Sequence, residues 1–62
     1  MRPFRVGDEF KGNHSGTVAE VIWVDPQDRF KAVVNTSELI EQTVFASQFL
    51  NHWTLIKEGS AA

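Results

Sequence analysis

The segment from residue 43 to residue 56 most constrains the fold of this chain. It contains two short apolar blocks, each with strand character, on either side of one helical turn. This pattern is typical of the closing segment of a small five-stranded barrel. We expect Phe45, Phe49 and Trp53 to plug the barrel there, and the hydroxyl of Ser47 to cap the turn.

Three further strands are predicted before this segment, at residues 6–11, 17–24 and 29–35. The last has the cleanest alternation, which directs Phe30, Ala32 and Val34 to the core and Arg29, Lys31 and Asn35 to solvent. Residues 25–28 read Asp-Pro-Gln-Asp, in which proline presets a type I turn and the first aspartate can bond the backbone. An antiparallel hairpin is therefore expected between the second and third strands.

The predicted strand at residues 17–24 is apolar on both faces. Such a strand is either central and covered on both faces, or bent so that each half serves a different face, as in small barrels. One face would carry Val18, Glu20, Ile22 and Val24, and the other Ala19, Val21 and Trp23.

Sixty-two residues allow one domain, which we place at residues 1–62 with an ordered part of about 4–57 and a frayed C-terminal tail. A chain of this length buries about 60% of its unfolded surface, so its stability is marginal. The absence of cysteine excludes disulfides and thiolate metal sites. Five Phe and two Trp therefore have to supply the core, unless oligomerisation adds to it.

The charge and hydropathy of the chain argue against membrane and secretory classes. The net charge is -2, and the six Lys and Arg residues are dispersed. The sequence shows no apolar run of membrane-spanning length and no hydrophobic leader. We expect a cytoplasmic protein.

The order of these elements resembles an SH3-like barrel, the organisation of SH3, KOW and Tudor-type modules. Gly7-Asp8 and the Gly16-Thr17-Val18 start of the second strand are similar to KOW-type starts, and residues 45–56 to the end of SH3 domains. The resemblance implies an all-β, five-stranded SH3-like barrel with one short helical turn before the last strand. It carries no function with it.

The layout of residues 32–50 is also similar to the plasmid-borne type II dihydrofolate reductases, which are active as tetramers with a shared pore. Their Val-Gln-Ile-Tyr pore motif falls on Gln42-Thr43-Val44-Phe45, so Thr43 replaces the central glutamine and Phe45 the tyrosine. A one-residue shift along a strand moves a side chain to the other face. An oligomeric enzyme of this kind is the third and least favoured reading.

The sequence predicts no catalytic residue, no metal site and no cofactor. Of the two candidate bases, His14 is interpreted as a loop residue and His52 as the polar cap of a tight turn, and no nucleophile elbow or oxyanion loop is recognisable. The leading hypothesis is a non-catalytic binding module for a protein partner, similar to accessory proteins of phages and mobile elements, with a homodimer as one form. Its predicted contact residues are Trp23, Asp25, Pro26, Asp28, His14, Leu39 and Ile40.

This hypothesis depends mainly on Trp23, which lies beside the predicted turn. Its side chain would either fill the core or belong to a surface that contacts a partner, because exposed tryptophan is enriched in protein interfaces. The alternative function is nucleic-acid binding in the manner of KOW-type barrels. It requires basic side chains on one face, for which the candidates are Arg5, Lys11, Arg29 and Lys31.

Overall fold

The computed structural model of the chain describes residues 2–36 and 41–59. Five strands form one antiparallel sheet, with a single helical turn before the last strand. The all-β class and the short helix before the final strand are therefore confirmed. The elements are β1 (Glu9–Gly12), β2 (Val18–Val24), β3 (Lys31–Thr36), β4 (Gln42–Phe45), α1 (Ala46–Phe49) and β5 (Trp53–Lys57).

The strand order in the sheet is β4-β3-β2-β1-β5, so β4 and β5 are its two edges. Within residues 2–36 and 41–59, no ladder joins these edges. The expected barrel is therefore not closed by backbone hydrogen bonds, and the SH3-like resemblance stays a prediction.

The connection between β2 and β3 contains the expected turn. The Asp28 N–H donates to the Asp25 carbonyl at 3.2 Å, and the Gln27 N–H donates to the Asp25 carboxylate at 2.8 Å. A second turn follows, in which the Lys31 N–H donates to the Asp28 carbonyl at 3.0 Å. The third strand consequently starts at Lys31. Phe30 lies before it and is 40% exposed, so its predicted place in the core is wrong.

A β-bulge at Ile22 explains why β2 is apolar on both faces. Val21 pairs with Val34, but Trp23 pairs with Val33, so Ile22 is the extra residue. Before the bulge, Val21 is buried; after it, the phase is reversed and Trp23 points outward. Of the two alternatives for this strand, the bent one is observed.

Three phenylalanines form the centre of the core. Phe4, Phe10 and Phe49 contact one another edge to face, with ring centroids 5.1–5.8 Å apart. This is the favoured geometry for aromatic pairs. The other buried apolar residues are Ala19, Val21, Ala32, Val34 and Ala46.

The aromatic residues of the closing segment are not arranged as predicted. Phe49 is buried and Trp53 is half-buried, with its ring stacked on Phe49 at 5.1 Å. Phe45, in contrast, is 49% exposed, because the buried Ala46 and the inward-facing Val44 take the positions beside it. The N-cap of α1 is Phe45 and makes no side-chain cap bond, so the predicted cap at Ser47 is wrong.

A fully buried carboxylate, Asp8, ties the two ends of the described chain together. Each of its oxygens accepts two hydrogen bonds: Oδ2 from Arg2 Nη1 (2.9 Å) and the Arg5 N–H (2.8 Å), Oδ1 from Arg2 Nη2 (3.3 Å) and the Gly59 N–H (2.6 Å). Lys57 belongs to β5, and the Gly59 N–H is held by Asp8.

Candidate protein-docking face and edge groove

The outer face of the sheet carries one apolar side chain each from β2, β3 and β4, of which the first and last are exposed and the middle one is half-buried. We call Trp23, Val33 and Phe45 the outer aromatic face. Trp23 lies directly opposite Val33, and side chains of such a pair point to the same side. Phe45 lies opposite Lys31, one step diagonally from Val33, which is within reach of an aromatic side chain. Trp23 is 45% exposed and Phe45 49%.

Lys31 connects this face to the charged turn beside it. Its Nζ lies 3.9 Å from a carboxylate oxygen of Asp25 and 5.9 Å from the ring centroid of Phe45. Both contacts are partly exposed, so each contributes at most about 1 kcal/mol to stability. Their effect is to hold one cation between an aromatic ring and an acidic group at the rim.

The structure brings some of the predicted partner-binding residues to this face and separates others. Asp25, Pro26 and Asp28 follow Trp23 directly, and Pro26 and Asp28 are exposed. His14 lies in the loop before β2, at the opposite end of a seven-residue strand, roughly 20 Å along it. Its ring is 6.5 Å from that of His52 instead. The remaining two predicted residues, Leu39 and Ile40, lie outside the described residues.

The four basic residues of the nucleic-acid alternative do not gather on one face. Arg5 and Arg29 are brought near each other by the hydrogen bond from the Phe4 N–H to the Arg29 carbonyl at 2.9 Å. Lys11 lies opposite Val18 at the other end of β2. Lys31 is engaged by Asp25 on the outer face.

A groove runs along the free edge of β4. It consists of two adjoining cavities of about 190 Å³ and 200 Å³. We call it the edge groove; both cavities share Gln42, Val44, Phe49 and Trp53. The first cavity extends to Ser15 and Thr17 and the second to Gln48 and His52.

The sequence reasoning missed Val33 and Phe45 as residues of the outer aromatic face. The signal for Phe45 was present: Val44 and Phe45 are adjacent on a strand, so only one of them can face the core. Val33 lies between the inward-facing Ala32 and Val34, so the same alternation directs it outward. The alternation does not show that Val33 lies opposite Trp23.

The described residues offer little for metal or acid–base chemistry. Residues 2–36 and 41–59 contain no group of three or more His, Cys, Asp or Glu side chains that could hold a metal ion. The one fully buried ionisable group there is Asp8, whose four hydrogen bonds are all made within the chain. In the same part of the chain, no helix is long and apolar enough to cross a membrane.

Comparison with known proteins gives no matching family model, no similar curated protein and no similar solved structure.

Proposed function

We propose that this chain is a small non-catalytic binding module that docks a protein partner through the outer aromatic face, in the cytoplasm. The single observation that carries the proposal is the exposure of Trp23 and Phe45 on the same face of the sheet, on the two strands that flank β3. Large aromatic side chains that are exposed together on a rigid element are the residues that dominate binding energy in protein interfaces.

The rim of the face supports the choice of a protein over a nucleic acid. Asp25 and Asp28 lie in the turn that follows β2, and Lys31 is paired with Asp25. A phosphate-rich partner would meet two carboxylates at this rim, which is unfavourable. A protein interface, in contrast, combines an aromatic centre with a mixed polar rim.

The test is an affinity capture with the purified chain as bait, comparing wild type with Trp23→Ala. The matched control is Ile56→Ala, which removes a 52% exposed apolar side chain from β5, away from the face. We expect specific proteins to be retained by wild type and Ile56→Ala and lost with Trp23→Ala. For a partner purified in turn, Kd should rise at least about 30-fold, the loss of about 2 kcal/mol expected at a hot spot.

The fold of each variant is checked by circular dichroism and thermal unfolding. If Trp23→Ala retains every captured protein, the proposal is wrong. If that variant unfolds, Phe45→Ala provides the same test from the other side of the face. Sedimentation velocity of the wild type shows whether the partner is a second copy of the chain. A binding signal that a nucleic acid competes away, and that weakens steeply with salt, would favour the alternative function.

A further inference from the structure

The second cavity of the edge groove touches four consecutive residues, Gln42, Thr43, Val44 and Phe45. Consecutive side chains on a strand point to opposite faces of the sheet. A cavity that touches all four therefore runs along the edge of the strand, where the backbone N–H and C=O groups are. This is a different location from the outer aromatic face, although Phe45 borders both.

The backbone groups that face this cavity can be assigned from the register. The Ala46 N–H donates to the Phe30 carbonyl at 2.8 Å, which makes Phe30 and Ala46 a hydrogen-bonded pair. Hydrogen-bonded and non-hydrogen-bonded pairs alternate in an antiparallel ladder. Val44 and Gln42 are therefore bonded to β3, whereas the N–H and C=O of Thr43 and the N–H of Phe45 point away from it.

The edge of β4 is recessed, and this restricts which kinds of partner can reach its backbone. Gln48 and Phe49 of α1, together with His52 and Trp53, form the opposite wall of the same cavity. In a second folded copy, α1 would stand beside β4 in the same way, so pairing of the two edges would have to bring both α1 turns past each other. A single extended segment brings no second α1.

The lining also restricts the side chain that the groove accepts. Among residues 2–36 and 41–59, no Asp, Glu, Lys or Arg lines either cavity, and Val44, Phe49 and Trp53 supply an apolar surface. A volume of about 200 Å³ suits one large side chain of a peptide.

We propose that the edge groove binds an extended, uncharged peptide segment of a partner protein, which adds a strand to β4 and places one apolar or aromatic side chain against Phe49 and Trp53. The backbone of Thr43 and Phe45 supplies the hydrogen bonds, and the groove selects the side chain. The proposal is independent of the docking role of Trp23.

The test uses a displayed library of random 12-residue peptides, selected on the wild-type chain. Selected peptides are synthesised and their affinities are measured for wild type, Thr43→Pro and Thr43→Ala. Proline removes the Thr43 N–H, which β3 does not use, and proline is tolerated on an edge strand in that position. Alanine removes the side chain and keeps the N–H, so it is the matched control.

We expect the selected peptides to lose at least tenfold in affinity on Thr43→Pro and to bind Thr43→Ala as they bind wild type. Peptide binding should also slow hydrogen exchange of the Thr43 and Phe45 amides at least tenfold. The Trp23→Ala variant should bind the peptides as the wild type does and show the same slowing. If Thr43→Pro does not fold, peptides N-methylated at successive positions replace it, and loss of binding at alternate positions is the expected result.

Three outcomes would overturn the proposal: no peptide is enriched, the enriched peptides bind Thr43→Pro as tightly as wild type, or their central residue is charged. A wild-type dimer that becomes a monomer in Thr43→Pro would also overturn it, because the edge would then pair with a second copy.

Discussion

Removal of the Asp8 carboxylate should be among the most damaging single changes in this chain. A folded chain of 62 residues has a free energy of unfolding of about 3–9 kcal/mol. Breaking a buried ion pair by deleting one partner costs about 3–5 kcal/mol. We take the lower end, about 3 kcal/mol, for Asp8→Ala, because the Arg2 side chain is 32% exposed and can be hydrated once its partner is gone.

The assay is equilibrium unfolding in urea, followed by tryptophan fluorescence. With a slope of about 1 kcal/mol per molar urea for a small domain, the midpoint should fall by about 3 M. The matched control is Asp28→Ala, whose exposed carboxylate accepts one hydrogen bond, from the Phe30 N–H at 3.0 Å. It should cost less than about 1 kcal/mol. If Asp8→Ala costs no more than this control, the four hydrogen bonds do not stabilise the fold as argued.

The same carboxylate gives the stability a pH dependence. Burial opposes ionisation, but the hydrogen bonds from Arg2, Gly59 and Arg5 outweigh it, so the pKa of Asp8 is lowered from its ordinary value. The unfolded chain then binds a proton more readily than the folded chain at acidic pH. Stability from Asp8 is therefore fully present above about pH 4–5, and it is lost as the pH falls towards the lowered pKa.

Asp8→Asn separates this charge effect from side-chain size. Either orientation of the amide places its NH₂ group against two of the donors, so a loss similar to that of alanine is expected. In this variant the acid-dependent part of the stability should disappear. A wild-type-like slope of stability with pH between 3 and 5 in Asp8→Asn would assign the pH dependence to other groups.

Two further substitutions test the packing. Gly59→Ala should destabilise by more than 1 kcal/mol, because a Cβ there would lie 2.7 Å from the Asp8 nitrogen and would collide with the Val6 carbonyl; a thermal midpoint equal to that of wild type would contradict this. Phe49→Ala should cost about 3–5 kcal/mol, because it removes the ring that contacts Phe4, Phe10 and Trp53, and one-dimensional proton NMR should show loss of the dispersed methyl signals. A folded Phe49→Ala with unchanged stability would show that the aromatic cluster is not the centre of the core.

Local patterns in the sequence determined much of the sheet. The alternation that places Ala32 and Val34 in the core is a period of two, and any strand at that position must follow it. The turn at residues 25–28 is equally local, because proline and the neighbouring aspartates satisfy it without help from elsewhere. The short helical turn before the last strand was predicted for the same reason.

The composition of the outer aromatic face depends on the bulge in β2, which reverses the alternation of the side chains between the two faces. No residue type marks the bulge at Ile22, which arises from how β2 fits between β1 and β3. It turns Trp23 outward, opposite Val33, so Trp23 is exposed and does not belong to the core. The alternating pattern of the sequence does not show at which residue a bulge reverses the alternation.

Residues 43–56 also separate what the sequence determines from what the tertiary structure decides. The sequence determined a strand, a turn and a strand there, because the apolar blocks and the turn are local. Only the tertiary structure decided which aromatic closes the core: Phe49 is buried with Phe4 and Phe10, whereas Phe45 is left on the surface. The buried Asp8 is the extreme case, since its donors come from residues 2, 5 and 59 and meet only after folding. Burial and pairing depend on contacts between distant residues, which a local pattern does not contain.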